Sequence, residues 1–152
     1  MQVYTSGRVQ AVNGTDVRLK CTFHSKNPIN SKFLTISWTF RPLRHGSEET
    51  VFYYLEKQFP PSEGRFLRKV EFKGDILSSD ASILVRDVTF NYNGTFSCQV
   101  KNPPDVHGNV GEVQLQVVTS APFSEIVILA VAIGGAVLMA VFILAICVSI
   151  RR

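Results

Sequence analysis

The sequence predicts an all-β sandwich followed by one membrane-spanning helix. Three observations carry that prediction. Short stretches alternate between apolar and polar residues, turn residues separate them, and one long uncharged apolar run lies near the C-terminus. With 152 residues the chain has room for one domain of about 100–150 residues and an appendage.

The strands come in order. Val17, Leu19, Cys21 and Phe23 alternate with Arg18, Lys20 and Thr22, the period-two pattern of a half-buried antiparallel strand. Leu34 to Arg41 repeats it, with Ile36, Trp38 and Phe40 on one side and Thr35, Ser37 and Thr39 on the other. Val51 to Leu55 (VFYYL) is aromatic and strand-like, but its inward parity is ambiguous. Lys69 to Phe72 is a short candidate, and Ala81 to Val88 offers Ile83, Val85 and Val88 to a core. Phe96, Cys98 and Val100 alternate with Ser97, Gln99 and Lys101, and Val113, Leu115 and Val117 with Glu112, Gln114 and Gln116. Asn13-Gly14, Asn27-Pro28, Pro60-Pro61, Lys73-Gly74-Asp75, Asn93-Gly94 and Pro103-Pro104 supply turns. Many short strands at this spacing, with no long amphipathic helix and no internal repeat, argue a sandwich.

Ile126 to Ile150 holds no charge, amide or proline. As a helix it spans roughly 37 Å, more than the ~30 Å hydrocarbon core of a bilayer. A buried core helix of that length would carry a polar stripe, and none is present. The run is too long and too late in the chain for a signal peptide. Met1 is followed by the polar QVYTSGRVQAV, so either a leader has been removed or the sequence is trimmed. Arg151 and Arg152 flank the run on one side and Glu125 on the other, which by the positive-inside rule puts the C-terminus in the cytoplasm. The expected organisation is an outer domain over residues 1–120, a stalk over 121–125, the helix over 126–150 and the start of a cytoplasmic tail at 151–152.

The net charge is +4, from 16 basic and 12 acidic residues, and half of the excess is Arg151 and Arg152. The remaining basic residues are scattered rather than gathered in a stripe, so no nucleic-acid partner is expected. Three cysteines are present. An outer domain matures in an oxidising compartment, so Cys21 and Cys98 are expected to pair, while Cys147 lies in the apolar run. There is no C-x-x-C, and His24, His45 and His107 are dispersed, so no metal or cofactor is expected.

A cysteine on one strand, a tryptophan on the next and a cysteine late in the domain form the core pin of an immunoglobulin-like sandwich. Cys21, Trp38 and Cys98 supply it, each on the apolar parity of its own strand. Closing so long a loop contributes roughly 4–5 kcal/mol in the chain-entropy account. Trp38 would bury about 200 Å² against the bridge. The wide separation leaves room for two extra strands, which predicts a variable-type domain.

KCTF around Cys21, SWTFRP around Trp38, DASILV over Asp80–Val85 and NGTFSCQVKNPPDV over Asn93–Val106 resemble the myelin protein zero family of single-domain adhesion proteins. The resemblance covers essentially the whole chain, and KNPPD after the second cysteine is its most specific piece. It implies a single-pass type I protein of the plasma membrane that binds the same protein on an apposed cell. Two alternatives share the one-domain, one-helix plan: an auxiliary subunit of a membrane channel, and a receptor or ligand for a different surface protein. The sequence departs from the common D-x-G-x-Y-x-C pattern. Tyr92 stands where the aspartate is usual, so a salt bridge from there to Arg65 or Lys69 is lost, and Phe96 has no hydroxyl for a tyrosine corner.

Asn13-Gly14-Thr15 and Asn93-Gly94-Thr95 are N-x-T sequons, and glycans are expected on both asparagines. Fold topology puts both at the membrane-proximal end and leaves the far tip bare. The outward residues of the sheet that would meet a partner are, by parity, Thr39, Arg41, Gln99, Lys101, Gln114 and Gln116. Their polar mixture fits two readings, an ordinary solvated face or a weak adhesive patch multiplied by avidity between membranes, and the sequence alone does not choose between them. Within the apolar run, Ala130 and Gly134 are four apart, as are Ala132, Ala136 and Ala140, a spacing that admits lateral helix pairing. Cys147 reads as an inert membrane cysteine. No G-x-S-x-G, phosphate loop or H-E-x-x-H is present, so neither catalysis nor a small-molecule substrate is expected.

Overall fold

A computed structural model describes residues 1–44, 46–119 and 123–151, the side chains of 123–133 excepted. The chain divides into two units, Met1–Thr119 and Ser120–Arg152. The first is a sandwich of eleven strands: β1 (Gln2–Thr5), β2 (Gly7–Val12), β3 (Val17–Leu19), β4 (Cys21–His24), β5 (Thr35–Pro42), β6 (Glu49–Leu55), β7 (Lys57–Phe59), β8 (Val70–Phe72), β9 (Ile83–Val85), β10 (Gly94–Lys101) and β11 (Gly111–Val118). The second holds helix α1 (Phe123–Arg151).

One sheet runs β2-β11-β10-β5-β6-β7, and the opposing layer is built from β1-β4 and β3-β9-β8. The first strand of the fold divides between the layers. β1 pairs antiparallel with β4, and β2 pairs parallel with β11. The switch falls at Gly7, whose φ of 75° lies in the left-handed region that glycine enters without steric strain. Strands β6 and β7 are the two extra strands of a variable-type domain, so that expectation holds.

The core follows the alternation read from the sequence. Cys98 lies directly across from Trp38 in the β10–β5 register, and Cys98 is bridged to Cys21. All three are fully buried. The Trp38 indole N–H donates to the Ala81 carbonyl at 2.8 Å, so the ring's one polar group is satisfied across the sandwich. Ser82 is also fully buried. Its Oγ accepts from Cys21 N–H at 3.0 Å and donates to Asp80 at 2.6 Å, which carries the layer across the break between β3 and β4.

The parity of β6 is settled by a bulge. The β5–β6 register slips between Trp38 and Thr39, and both Val51 and Phe52 turn inward. Tyr53 and Leu55 then lie across from Ser37 and Thr35, on the outer side of the sheet.

At the end where β11 finishes, Phe40, Phe66 and Phe96 form an aromatic cluster with ring centroids 4.7–5.7 Å apart. Tyr92 stacks on Phe66 at 4.9 Å and donates its hydroxyl to the Arg65 carbonyl at 2.7 Å. Position 92 therefore keeps a tie to the segment before β8, through a hydrogen bond in place of a salt bridge. Burial pushes the Tyr92 phenol above its ordinary pKa, so it stays a donor at neutral pH. Arg65 holds its guanidinium over the Phe40 ring and pairs with Glu49 at 3.0 Å.

In α1, an 18-residue window at Gly134–Arg151 has a mean hydropathy of 2.2 and is not buried in the protein, so it is long and apolar enough to cross a membrane. The helix begins at Phe123, within the segment expected as a stalk. Residues 121 and 122 lie outside the described residues, as do the side chains of Ala130 and Ala132.

Candidate functional site

The outer side of the six-stranded sheet is assembled from the polar half of each alternation. Register places its residues in rows across the strands. One row runs Gln99, Ser37, Tyr53, Phe59, and the next Lys101, Thr35, Leu55, Lys57. A row nearer the end of β11 holds Gln114, Thr95 and Arg41, with Arg8 beside Gln114.

The six residues expected from parity all lie on this side, but they form two groups. Gln99 and Lys101 share rows with an apolar strip that sequence reasoning missed. In that strip the Tyr53 and Phe59 rings are 6.0 Å apart, and the Lys57 ammonium sits 5.5 Å from the Phe59 centroid. Leu55 and Phe59 are 36 % and 43 % exposed, so the strip presents apolar surface to solvent. Arg41, Gln114 and Gln116 lie at the other end, where Gln116 accepts from the Gln10 amide at 3.2 Å. Thr39 is half-buried between the groups and donates to Glu48 at 2.6 Å.

Both sequons flank the last residues of β11. Asn13 donates its backbone N–H to Val118 O at 2.7 Å, and its side chain is exposed. Asn93 accepts from Val117 N–H through Oδ1 at 2.5 Å. An open groove of about 660 Å³ lies beside it, lined in part by Arg8, Gln10, Asn93, Thr95 and Gln114.

The opposite end is a clamp built by the KNPPD run. Asn102 is fully buried. Its Nδ2 donates to Ser25 Oγ at 3.0 Å, Asn27 O at 3.2 Å and Pro28 O at 3.1 Å, and its Oδ1 accepts from Asn30 N at 3.0 Å. Its own backbone exchanges two hydrogen bonds with Asp105 around the Pro103-Pro104 turn. Asp105 accepts from the Met1 ammonium at 2.7 Å and from Lys26 N and Ser25 Oγ, both at 2.9 Å. The Met1 ammonium first, then the Lys26 N–H, hold its carboxyl down at about 2. The loop from 25 to 30, the turn from 102 to 105 and the first residue thus form one hydrogen-bonded unit at the tip. The sequence signalled this only as a family-specific string.

Among the described residues no three His, Cys, Asp or Glu side chains come together as metal ligands would. What the molecule offers is a surface: a mixed sheet face between a hydrogen-bonded tip and two sequons.

That architecture defines a class, and the chain belongs to the immunoglobulin V-set family. The family profile described as "Immunoglobulin V-set domain" matches residues 4–118. Among relatives, myelin protein zero-like protein 2 from Mus musculus is 54% identical over 90% of this chain and 63% of its own length, and the Bos taurus protein of that name is 52% identical with the same coverage. The chain thus spans less than two thirds of the length of either. The resemblance to the myelin protein zero group read from KCTF, SWTFRP and KNPPD holds. A third relative, sodium channel regulatory subunit beta-2 from Homo sapiens, is 33% identical over 90% of this chain and 64% of its own length. The fold, the one long apolar helix among the described residues and these relatives make it a V-set membrane protein, and no enzymatic family is indicated.

Proposed function

We propose that this is a single-pass type I protein of the plasma membrane, with the V-set domain outside, that adheres cells by binding a second copy on an apposed membrane. The observation that carries the reading is the outer sheet face. An apolar strip of half-buried Tyr53 and exposed Leu55 and Phe59 shares its rows with the polar Gln99 and Lys101. Rings set among polar groups suit a small, wet contact, and many such contacts between two membranes multiply by avidity. The relatives named as myelin protein zero-like proteins support the same reading.

The test is aggregation of otherwise non-adhesive cells that display the full chain. Wild type is expected to cluster, and Tyr53→Arg together with Phe59→Asp to abolish clustering at equal surface level. Cells that stay dispersed at high expression would refute the homophilic reading. A second reading, an auxiliary channel subunit, is favoured by the beta-2 relative, and co-purification with a pore-forming chain in the absence of clustering would select it.

A further inference from the structure

We propose that the first sugar of an N-linked glycan on Asn93 is seated on the protein, against the ring of Phe90 and the side chain of Leu43. The inference does not depend on the adhesive reading. It rests on occupancy of the Asn93-Gly94-Thr95 sequon.

Four observations converge. First, the orientation of the Asn93 amide is fixed. Val117 N–H is a donor, so the atom it meets at 2.5 Å is Oδ1, and Nδ2 is the atom left to carry the sugar. Among the described residues Nδ2 donates to no protein acceptor. Second, Phe90–Tyr92 forms one 3₁₀ turn, closed by Asn93 N–H to Phe90 O at 3.2 Å. Asn93 follows that turn in an extended conformation, and Phe90 and Asn93 line the same hollow. Third, Phe90 is 48 % exposed and Leu43 is 77 % exposed. Tyr92, between Phe90 and Asn93, is buried on Phe66, so the turn sends one ring to the core and leaves the other outside. Leu43 is held at the site because its N–H donates to Asn93 O at 3.1 Å. Fourth, Pro42, Leu43, Phe90 and Asn93 line one open hollow of about 480 Å³, with Arg44, Arg65 and Asn91 completing its lining.

The chemistry matches. One face of an N-acetylglucosamine ring presents axial C–H groups, which carry partial positive charge. An aromatic face carries partial negative charge and accepts such groups as it accepts the edge of another ring. A sugar seated there covers Phe90 and Leu43 and gives those exposed apolar side chains a partner.

The test uses the full chain made in glycosylating cells and purified in detergent, with Asn93 occupancy read by mass spectrometry. Phe90→Ser and Phe90→Leu are each compared with the parent, with the sequon intact and with Thr95→Val removing it. A glycan-free sample made by enzymatic release is the second control. Phe90→Ser is expected to lower Tm by about 4 °C more in the glycosylated protein than in either glycan-free form. Phe90→Leu should fall between parent and Ser. Trimming the glycan to one N-acetylglucosamine should leave the difference intact, because only the first sugar is in contact. The proposal is overturned by an equal Tm loss with and without glycan, by loss of the difference on trimming, or by an unoccupied Asn93.

Discussion

Asn102 is the position at which one side chain holds the tip together, and replacing it gives a sharp test. Its amide has two N–H groups shared among Ser25 Oγ, Asn27 O and Pro28 O, and one oxygen that accepts from Asn30 N. Three independent hydrogen bonds are therefore lost in Asn102→Ala. Each contributes about 1 kcal/mol net, so the loss is about 3 kcal/mol, a large share of a stability of ~5–15 kcal/mol. The assay is urea unfolding of the full chain in detergent, followed by the fluorescence of Trp38, the one tryptophan in the sequence. A loss below about 1 kcal/mol would refute the clamp, because loop acceptors and Asn30 N–H would then have found other partners without strain.

Asn102→Asp sharpens the same experiment. A carboxylate keeps the acceptor for Asn30 N–H but turns lone pairs toward two carbonyls and toward a Ser25 hydroxyl that already donates to Asp105. Burial and the nearby Asp105 charge both raise the folded pKa of the introduced acid above its unfolded value near 3.9. Its penalty is then fully present above the folded pKa and shrinks as pH falls through it. At neutral pH Asn102→Asp is expected to be less stable than Asn102→Ala. An Asp variant at least as stable as Ala, with no gain on acidification, would contradict the geometry.

Two further predictions concern the opposite end. Tyr92→Phe removes the hydroxyl bond to Arg65 O and leaves the stacking on Phe66, so it should cost about 1 kcal/mol in the same unfolding assay. Gly94→Ala would drive a methyl group into the Arg41 carbonyl and the Phe40 ring, where β10 and β5 approach closely. It should destabilise by about 1–3 kcal/mol while leaving Asn93 and Thr95 as a sequon, so stability and glycan occupancy can be read separately.

The sandwich was legible because alternation, turn residues and the Cys21–Trp38–Cys98 trio all point to one core. Parity reading leaves β6 ambiguous for a physical reason. It assumes an unbroken pleat, and the slip between Trp38 and Thr39 sends two consecutive residues inward. That slip puts Tyr53 and Leu55 outside, which is why the apolar half of the candidate face was missed. Tyr92 was read as a loss because a pattern comparison sees the missing carboxylate and not the hydroxyl that replaces its tie. The roles of Asn102 and Phe90 were not legible for a further reason. What each does depends on groups that folding brings near: a loop some 75 residues earlier in the chain for one, and an amide fixed by Val117 for the other.

A glycan on Asn93 would decide which part of the sheet face a second copy could reach. Of the six residues expected on the contact face, Gln99 and Lys101 lie toward the tip end of one sheet and Arg41, Gln114 and Gln116 toward the sequon end, with Thr39 between. A sugar seated at Phe90 and Leu43 grows from the end where Arg41, Gln114 and Gln116 lie, since Asn93 lines the same groove as Gln114 and Gln116. A branched glycan there would shadow those polar residues and leave the rows of Gln99, Tyr53 and Phe59 and of Lys101 and Leu55 open. Those are the rows that carry the exposed apolar strip and that lie next to the Asn102 clamp in β10. The Asn102 hydrogen bonds and the exposed Leu55 and Phe59 thus lie at one end of the face, away from the Asn93 sequon. A second copy approaching from an opposing membrane would find there a surface with few side chains left to order. That lowers the entropy that opposes binding, and a weak contact repeated many times depends on it.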